Sequence, residues 1–263
     1  MTARRKGSLQ VVGTGYLIAG QVTPQAVAAM RGADRLFYLV GGAPSRAFVE
    51  SLNPSAESLF DAYAVGKPRK QSYREMVERI LLPVRQGQRV CAVFYGHPGV
   101  LVNPSHAAIR QARREGYDAW MLPGISGADC LYADLGLDPG VYGCQSFEAS
   151  DFLLRNRRFD PTSGLILWQF GVIGEENLPD QPCNRNGLAV LCEVLQEHYP
   201  AHHGVVIYEA SELPICDPRI ERRPLAELVE ADVTWASTLY VPPLARRPVD
   251  PRMRDRLKPS PGP

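Results

Sequence analysis

Residues 89–106 read RVCAVFYGHPGVLVNPSH. The first part, Val90–Phe94, is a continuous apolar run, the pattern of a parallel strand covered on both faces by helices. The second part is stiff and open. Gly96, Pro98 and Gly99 turn the chain before a Pro-led helix, PSHAAIRQARREG, which is expected to stop at Gly116. In open α/β sheets, ligands bind outside the carboxyl ends of the strands. Tyr95 and His97 are therefore expected to face a crevice.

Outward from this stretch the pattern alternates. SLQVVGT, RLFYLVG and YDAWMLPG read as strands, and TPQAVAAMRGA, with Thr at the cap and Pro at the first helical position, reads as a helix, as does PSRAFVESL. Ser72 and Glu75 form an S-x-x-E capping box ahead of the helically spaced Tyr73, Met76, Val77, Ile80, Leu81 and Val84. Alternation with short loops predicts parallel βαβ units. After MLPG the pattern changes. SGLILWQFG, GVVIYEAS and VTWASTLYVPP read as strands and GLAVLCEVLQEHYP as a helix, which predicts a second α/β lobe with a mixed sheet. The expected division is 1–122 for the first lobe, 123–243 for the second and 244–263 for a basic, Pro-rich tail. That tail has too few apolar residues for a core and is read as solvated and disordered, or as a docking element for an acidic partner.

The 263 residues are 45% hydrophobic and 22% charged, with a net charge of +1. Neither nucleic acid nor an anionic membrane surface is favoured by such a balance. No run approaches the roughly 20 apolar residues of a membrane helix, and MTARRKGSLQVV lacks the apolar core of a secretory signal, so a cytoplasmic protein is expected. Six scattered cysteines without a C-x-x-C pair read as buried reduced thiols. His198, His202 and His203 are interrupted by Pro200 and lack a completing carboxylate, so no metal is expected. No G-x-S-x-G elbow is present.

Three loops remain. VVGTG ends the first strand, but Ile18 stands where the dinucleotide fingerprint needs glycine, and Gln21–Val22 where a phosphate loop needs Lys and Ser/Thr. FYGHPGV ends the fourth strand. MLPGISG opens a helix at Ser126 and Gly127, which reads either as a plain N-cap or as free N–H groups suited to a polar ligand tail. In order and at strand ends, the three resemble the S-adenosylmethionine (SAM) sites of tetrapyrrole methylase-fold enzymes, in which SAM lies between two lobes. Typical tetrapyrrole methylases have Asp where this chain has His97, which counts against a porphyrinoid substrate. DRLFYLV, GKPR, NPSHAAI, MLPGISGADCLYADLGLDP, FEASDFLLR and STLYVPP, from about Ser8 to Pro243, are similar to the borosin-type peptide backbone α-N-methyltransferases.

That resemblance implies the two-lobed tetrapyrrole methylase-like α/β fold, SAM as cosubstrate and a homodimer. It matches Tyr63, Arg69 and Tyr73 to a catalytic set. It matches Tyr95, His97, Val100, Ser126, Gly127, Gln169, Ala210, Ser237 and Thr238 to SAM contacts. The chemistry wants such residues. A backbone amide is a weak nucleophile because its lone pair is delocalised into the carbonyl. Removing its proton places charge on the carbonyl oxygen, where an arginine acts as an oxyanion hole. A tyrosine can be the base if a neighbouring cation or a helix N-terminus lowers its pKa, and Tyr73 is expected in the first turn behind Ser72. Residues 244–263 hold five prolines, which lack an amide N–H, and no apolar run like a core peptide. A separate precursor peptide, methylated in trans, is therefore expected. The competing readings are a small-molecule methyltransferase of the same fold and an idle peptide-binding module.

Overall fold

The apolar stretch that opened the reading lies at the centre of a sheet, because both of its edges are paired and both of its faces are covered. The computed structural model describes residues 6–175, 177, 184–245 and 248–259. The first lobe contains β1 (Ser8–Gly13), α1 (Pro24–Gly32), β2 (Arg35–Leu39), α2 (Ala43–Leu52), β3 (Ala56–Ser58), α3 (Arg69–Arg85), β4 (Arg89–Phe94), α4 (Asn103–Arg114) and β5 (Asp118–Met121). Its sheet runs β3-β2-β4-β1-β5, all parallel. Successive β4 residues face opposite sides. Val90, Ala92 and Phe94 join the core under α3 and α4, while Cys91 and Val93 join the core under α1 and α2. β1 pairs with β4 in the register Gly13↔Phe94, which brings the loops after both strands to the same end.

The chain then continues through α5 (Gly127–Leu135), α6 (Pro139–Tyr142), β6 (Cys144–Glu148), α7 (Ala149–Leu154), β7 (Gly164–Trp168), α8 (Arg185–Gln196), β8 (Gly204–Glu209), β9 (Arg219–Pro224), β10 (Thr238–Val241) and α9 (Pro251–Arg256). The second sheet runs β6-β7-β10-β8-β9. It is mixed, as expected: β6 lies parallel to β7 and the other pairs are antiparallel. One face packs on α7 and α8 through Phe152, Leu188, Leu191 and Leu195. The other packs on α5 through Cys130 and Leu131, which meet Ile166, Val206, Tyr208 and Tyr240.

Several expectations are corrected. The capping box at Ser72 and Glu75 does not form. α3 begins a turn earlier, with Pro68 at the cap position, and Ser72 is buried inside the helix with no hydrogen-bond partner for its hydroxyl. The tail is not featureless: Asp250 caps α9 by accepting from Arg252 N and Met253 N, although all six helical residues are exposed. Of the cysteines, Cys91, Cys130 and Cys192 are buried, but Cys216 is exposed and Cys144 half-buried. Cys183, Arg246 and Arg247 lie outside the described residues. His198 and His203 serve packing: one meets the edge of Phe159, and the other packs on Tyr199 and bonds the carbonyl of Pro242 at 2.9 Å. Among the described residues, no helix is long and apolar enough to cross a membrane.

Candidate active site

The loops after β1 and β4 are zipped together by paired backbone bonds, Gly15 N to Gly96 O at 3.3 Å and Gly96 N to Gly15 O at 2.9 Å. Gly13 is required at that junction. A Cβ there would lie 2.1 Å from Gly96 O and 2.7 Å from Pro98 Cδ. The 96–99 turn is braced from α4. Ser105 Oγ donates to Pro98 O at 2.5 Å, and His106 Nε2 donates to Gly99 O at 2.8 Å. His97 Nδ1 accepts from Gly99 N at 2.9 Å, so this ring orders its own turn and keeps Nε2 for a ligand.

Opposite this turn, loops from the second lobe close a cavity of about 260 Å³. Of the residues matched to donor contacts, Tyr95, His97, Val100, Gly127, Gln169, Ala210, Ser237 and Thr238 line it. Ser126 is the exception. Its side chain is used in a capping box, accepting from Asp129 N and donating to Asp129 Oδ2 at 2.6 Å. The Ser237 hydroxyl is likewise engaged, donating to Glu209 Oε1 at 2.5 Å and accepting from Thr234 N at 2.8 Å. Glu209 also accepts from Thr234 Oγ1 and Arg219, so one carboxylate fixes the 234–238 segment. Two lining residues, Leu101 (φ 57°) and Gln169 (φ 58°), adopt the left-handed region, costly for side chains other than glycine and concentrated at ligand sites.

Sequence reasoning missed Tyr16, Trp168, Glu212 and Trp235, which line the same cavity. Tyr16 directly follows GTG and stands edge-on to Tyr95, with ring centroids 6.1 Å apart. Burial pushes its phenol well above the usual range. Trp168 precedes Gln169 in LWQFG, so its place was legible; nothing in the pattern isolates Glu212.

The Tyr63, Arg69 and Tyr73 set is built differently. Because α3 begins at Arg69, Arg69 and Tyr73 stand at i and i+4 on one helix face. Tyr73 is thus in the second turn rather than the first, where the helix dipole has largely decayed. Both residues line a second, larger cavity of about 870 Å³, together with Val77, Asn103, Ala107 and Gln111. Tyr63 follows a 3-10 turn at Phe60–Ala62 and meets Tyr73 edge-on, centroids 6.4 Å apart at 80°. Burial, then the Tyr73 and Tyr95 phenols, push the Tyr63 hydroxyl far up, against the opposing pull of Arg69.

Two cations clamp this segment to α3. Lys67 Nζ donates to Ala62 O at 2.7 Å and to Glu75 Oε2 at 2.5 Å. Here is the partner of the glutamate that fails to cap the helix. Arg79 donates to Asp61, Glu57 and Ser58 O at 2.6, 2.7 and 2.9 Å. The Lys67 ammonium holds the Glu75 carboxyl below its ordinary range, and the Arg79 guanidinium does the same for Asp61.

Comparison with known proteins matches residues 8–229 to the model of the tetrapyrrole (corrin/porphyrin) methylases. The chain belongs to that family. Its solved neighbours include uroporphyrin-III-C-methyltransferase from Thermus thermophilus, 17% identical with a TM-score of 0.63 over 90% of this chain and 92% of that one. The cobalt precorrin-4 methyltransferase is 15% identical with a TM-score of 0.64, over 89% and 94%. These likenesses place the fold. In sequence this methylase-family chain is much nearer to fungal proteins. It is 42% identical over 246 residues to the methyltransferase/ribosomally synthesized cyclic peptide gymnopeptides precursor of Gymnopus fusipes, covering 92% of this chain and 59% of the relative. It is 42% identical over 250 residues to the corresponding omphalotin A precursor of Omphalotus olearius, covering 94% and 60%. Relatives described as borosin precursors stand at similar identity. The chain thus spans about three fifths of the length of the gymnopeptide and omphalotin A relatives.

Proposed function

We propose that this chain methylates backbone amide nitrogens of a peptide, with SAM as methyl donor. One observation carries the reading. Tyr95 lines the smaller cavity and Arg69 and Tyr73 line the larger one; burial raises the Tyr95 phenol, and the Tyr73 phenol and the Arg69 guanidinium are near enough to act on it too, one raising and one lowering it. A donor in the first cavity and an acceptor in the second would meet across these side chains. The names of the relatives, which join a methyltransferase to a peptide precursor, support the same acceptor class.

The residues present fit SAM. Gly127 lets two rings of the wall close in, since a Cβ there would sit 3.1 Å from the Tyr16 hydroxyl and 3.4 Å from Trp168. Aromatic rings and small residues make the remaining wall suitable for a nucleoside. Tyr16, Tyr95, Trp168 and the backbone around Gly127 and Ala210 would hold the nucleoside and tail. When bound, SAM supplies an electrophilic methyl group; every other requirement falls on the protein. Arg69, always protonated, stabilises charge developing on the amide oxygen. Tyr73, acting in its phenolate form beside Arg69, takes the amide proton and becomes the phenol. Tyr63, a neutral phenol as an ordinary tyrosine is near pH 7, hydrogen-bonds and orients the reacting groups. Holding the amide nitrogen near the donor contributes the proximity effect, worth roughly 7–11 kcal/mol in ideal cases.

The larger cavity has room for several residues of an extended peptide. We take the acceptor to be a precursor peptide supplied in trans; the curated relatives are named as methyltransferase and precursor in one protein. The reading also carries a homodimer, a boundary between lobes near residues 122–123 and a cytoplasmic site of action. The test is mass spectrometry of the protein incubated with SAM and candidate precursor peptides. Methyl groups mapped to backbone nitrogens of the added peptide are the expected result. Methylation of an added porphyrinoid but no peptide would favour the small-molecule reading. Methyl groups on the protein's own backbone would overturn supply in trans.

A further inference from the structure

The smaller cavity has an unusual distribution of charge. Tyr16, Tyr95, Trp168 and Trp235 contribute aromatic surface, no lysine or arginine lines it, and Glu212 is its one carboxylate among the described residues. Glu212 is held at this place. Its backbone carbonyl accepts from Ile18 N at 3.1 Å, and its Oε2 accepts from Gly42 N at 3.4 Å. Gly41 makes room: a Cβ there would come within 2.7 Å of Glu212 Oε1. The carboxylate thus reaches from the loop after β8 to the loops after β1 and β2, across the mouth of the cavity. No described cation pairs with it. Arg219, on the same rim, is committed to Glu209 and Glu221.

Aromatic faces attract cations, and a nearby carboxylate adds a direct Coulomb attraction. We propose that Glu212 makes this cavity select the charged form of the methyl donor. The proposal rests on the reading that SAM binds here. Before transfer the donor carries a sulfonium. In transfer the carbon–sulfur bond breaks with its electron pair staying on sulfur, the methyl bonds to the amide nitrogen, and the amide proton goes to the base. The product, S-adenosylhomocysteine, is a neutral thioether at that centre. The carboxylate therefore attracts the substrate and has no hold on the same atom of the product, which favours exchange of product for fresh donor. Glu212 touches neither the amide nor its proton in this scheme; it is a specificity residue for the donor's charge.

The test is calorimetric binding of both ligands to the wild type and to Glu212→Gln. For one unit charge at partly solvated range, SAM should bind the variant about five- to tenfold more weakly, while S-adenosylhomocysteine changes less than about twofold. A donor analogue with a protonated amine in place of the S-methyl group should follow SAM. Raising salt on the wild type, which needs no variant to fold, should weaken SAM more than its thioether product. Equal losses for the two ligands would mean that Glu212 serves the ribose or the amino-acid tail they share, and would overturn this proposal alone. Unchanged affinities, or equal salt sensitivity, would overturn it too. A wild type that binds neither ligand would overturn the donor-site reading and this inference with it.

Discussion

The two cavities are built on opposite plans. The smaller is framed by backbone: strand-end loops from both lobes meet through glycines and carbonyls, and that frame sets where the aromatic rings of the wall stand. The larger is made by side chains, chiefly of α3 and α4, and its proposed reactive set is kept in place by two clamping cations. A ligand common to many related reactions suits the first plan, because bare backbone recognises features that do not vary. An acceptor that differs between relatives suits the second, because side chains change one at a time. The comparison can be broken by variants that act on one cavity and are silent at the other.

The largest effect is expected at the helix. Arg69→Ala and Tyr73→Phe should each reduce peptide methylation by a factor of roughly 10²–10³ or more, the scale of losing an oxyanion donor or a general base. Calorimetry should find donor affinity within a few fold of wild type. Wild-type turnover in Tyr73→Phe would remove that residue from the role of base. Next is the backbone-built side. Gly13→Ala places a methyl against Gly96 O, which no side-chain rotation relieves. A stability loss of about 1–3 kcal/mol is expected, with donor affinity falling steeply. Normal donor binding in that variant would show that the zipped loops do not shape the cavity.

Intermediate in size is the clamp. Lys67→Met removes the bonds to Ala62 O and Glu75 and should lower turnover roughly ten- to a hundredfold by misplacing Tyr63 against Tyr73. Donor affinity should hold, and Lys67→Arg should recover part of the rate. A loss of donor binding that matches the loss of rate would erase the distinction between the two plans. The smallest effect lies on the outer side of α3. Arg85 binds both oxygens of Glu115 and holds its carboxyl down to about 2. A depressed folded pKa gives stability that is present above the ordinary value of 4.5 and lost as pH falls toward 2. The pair is partly exposed, so Glu115→Gln should cost under about 1 kcal/mol at neutral pH and flatten the acid limb of a thermal-melt profile. Neither donor binding nor turnover should move.

What the sequence revealed follows the same division. β4 was legible because a strand buried on both faces must be apolar throughout, and the loops after it because Gly and Pro are constrained by backbone geometry. β9 was not: RIERRP has no apolar alternation and owes its place to pairing with β8 and to Arg219–Glu221–Arg223 contacts along a charged edge. β3, of three residues, and β6, a partly exposed edge strand, were too short or too polar to register. The S-x-x-E pattern misled because capping depends on where the helix starts. Pro68 starts it one turn earlier, leaving Ser72 inside and Glu75 to Lys67. In the candidate site, residues flanking glycine turns were recoverable. Glu212 was not, because the approach of two lobes is a tertiary fact; the Ser126 cap was legible in the local S-x-x-D pattern but stood open against a ligand role.

β1 lies between β4 and β5, and that position has a consequence for biosynthesis. The strand is made early but cannot take its place until segments about 80 and 110 residues further along have been made. At a synthesis rate of about 5–20 residues per second, this wait is on the order of ten seconds. During it, Leu9, Val11 and Val12 have no sheet to enter and are a natural target for a ribosome-associated chaperone. The Gly13–Gly96 junction closes only when both partners are present, so ribosome-bound chains arrested before β4 has emerged should lack the donor cavity altogether.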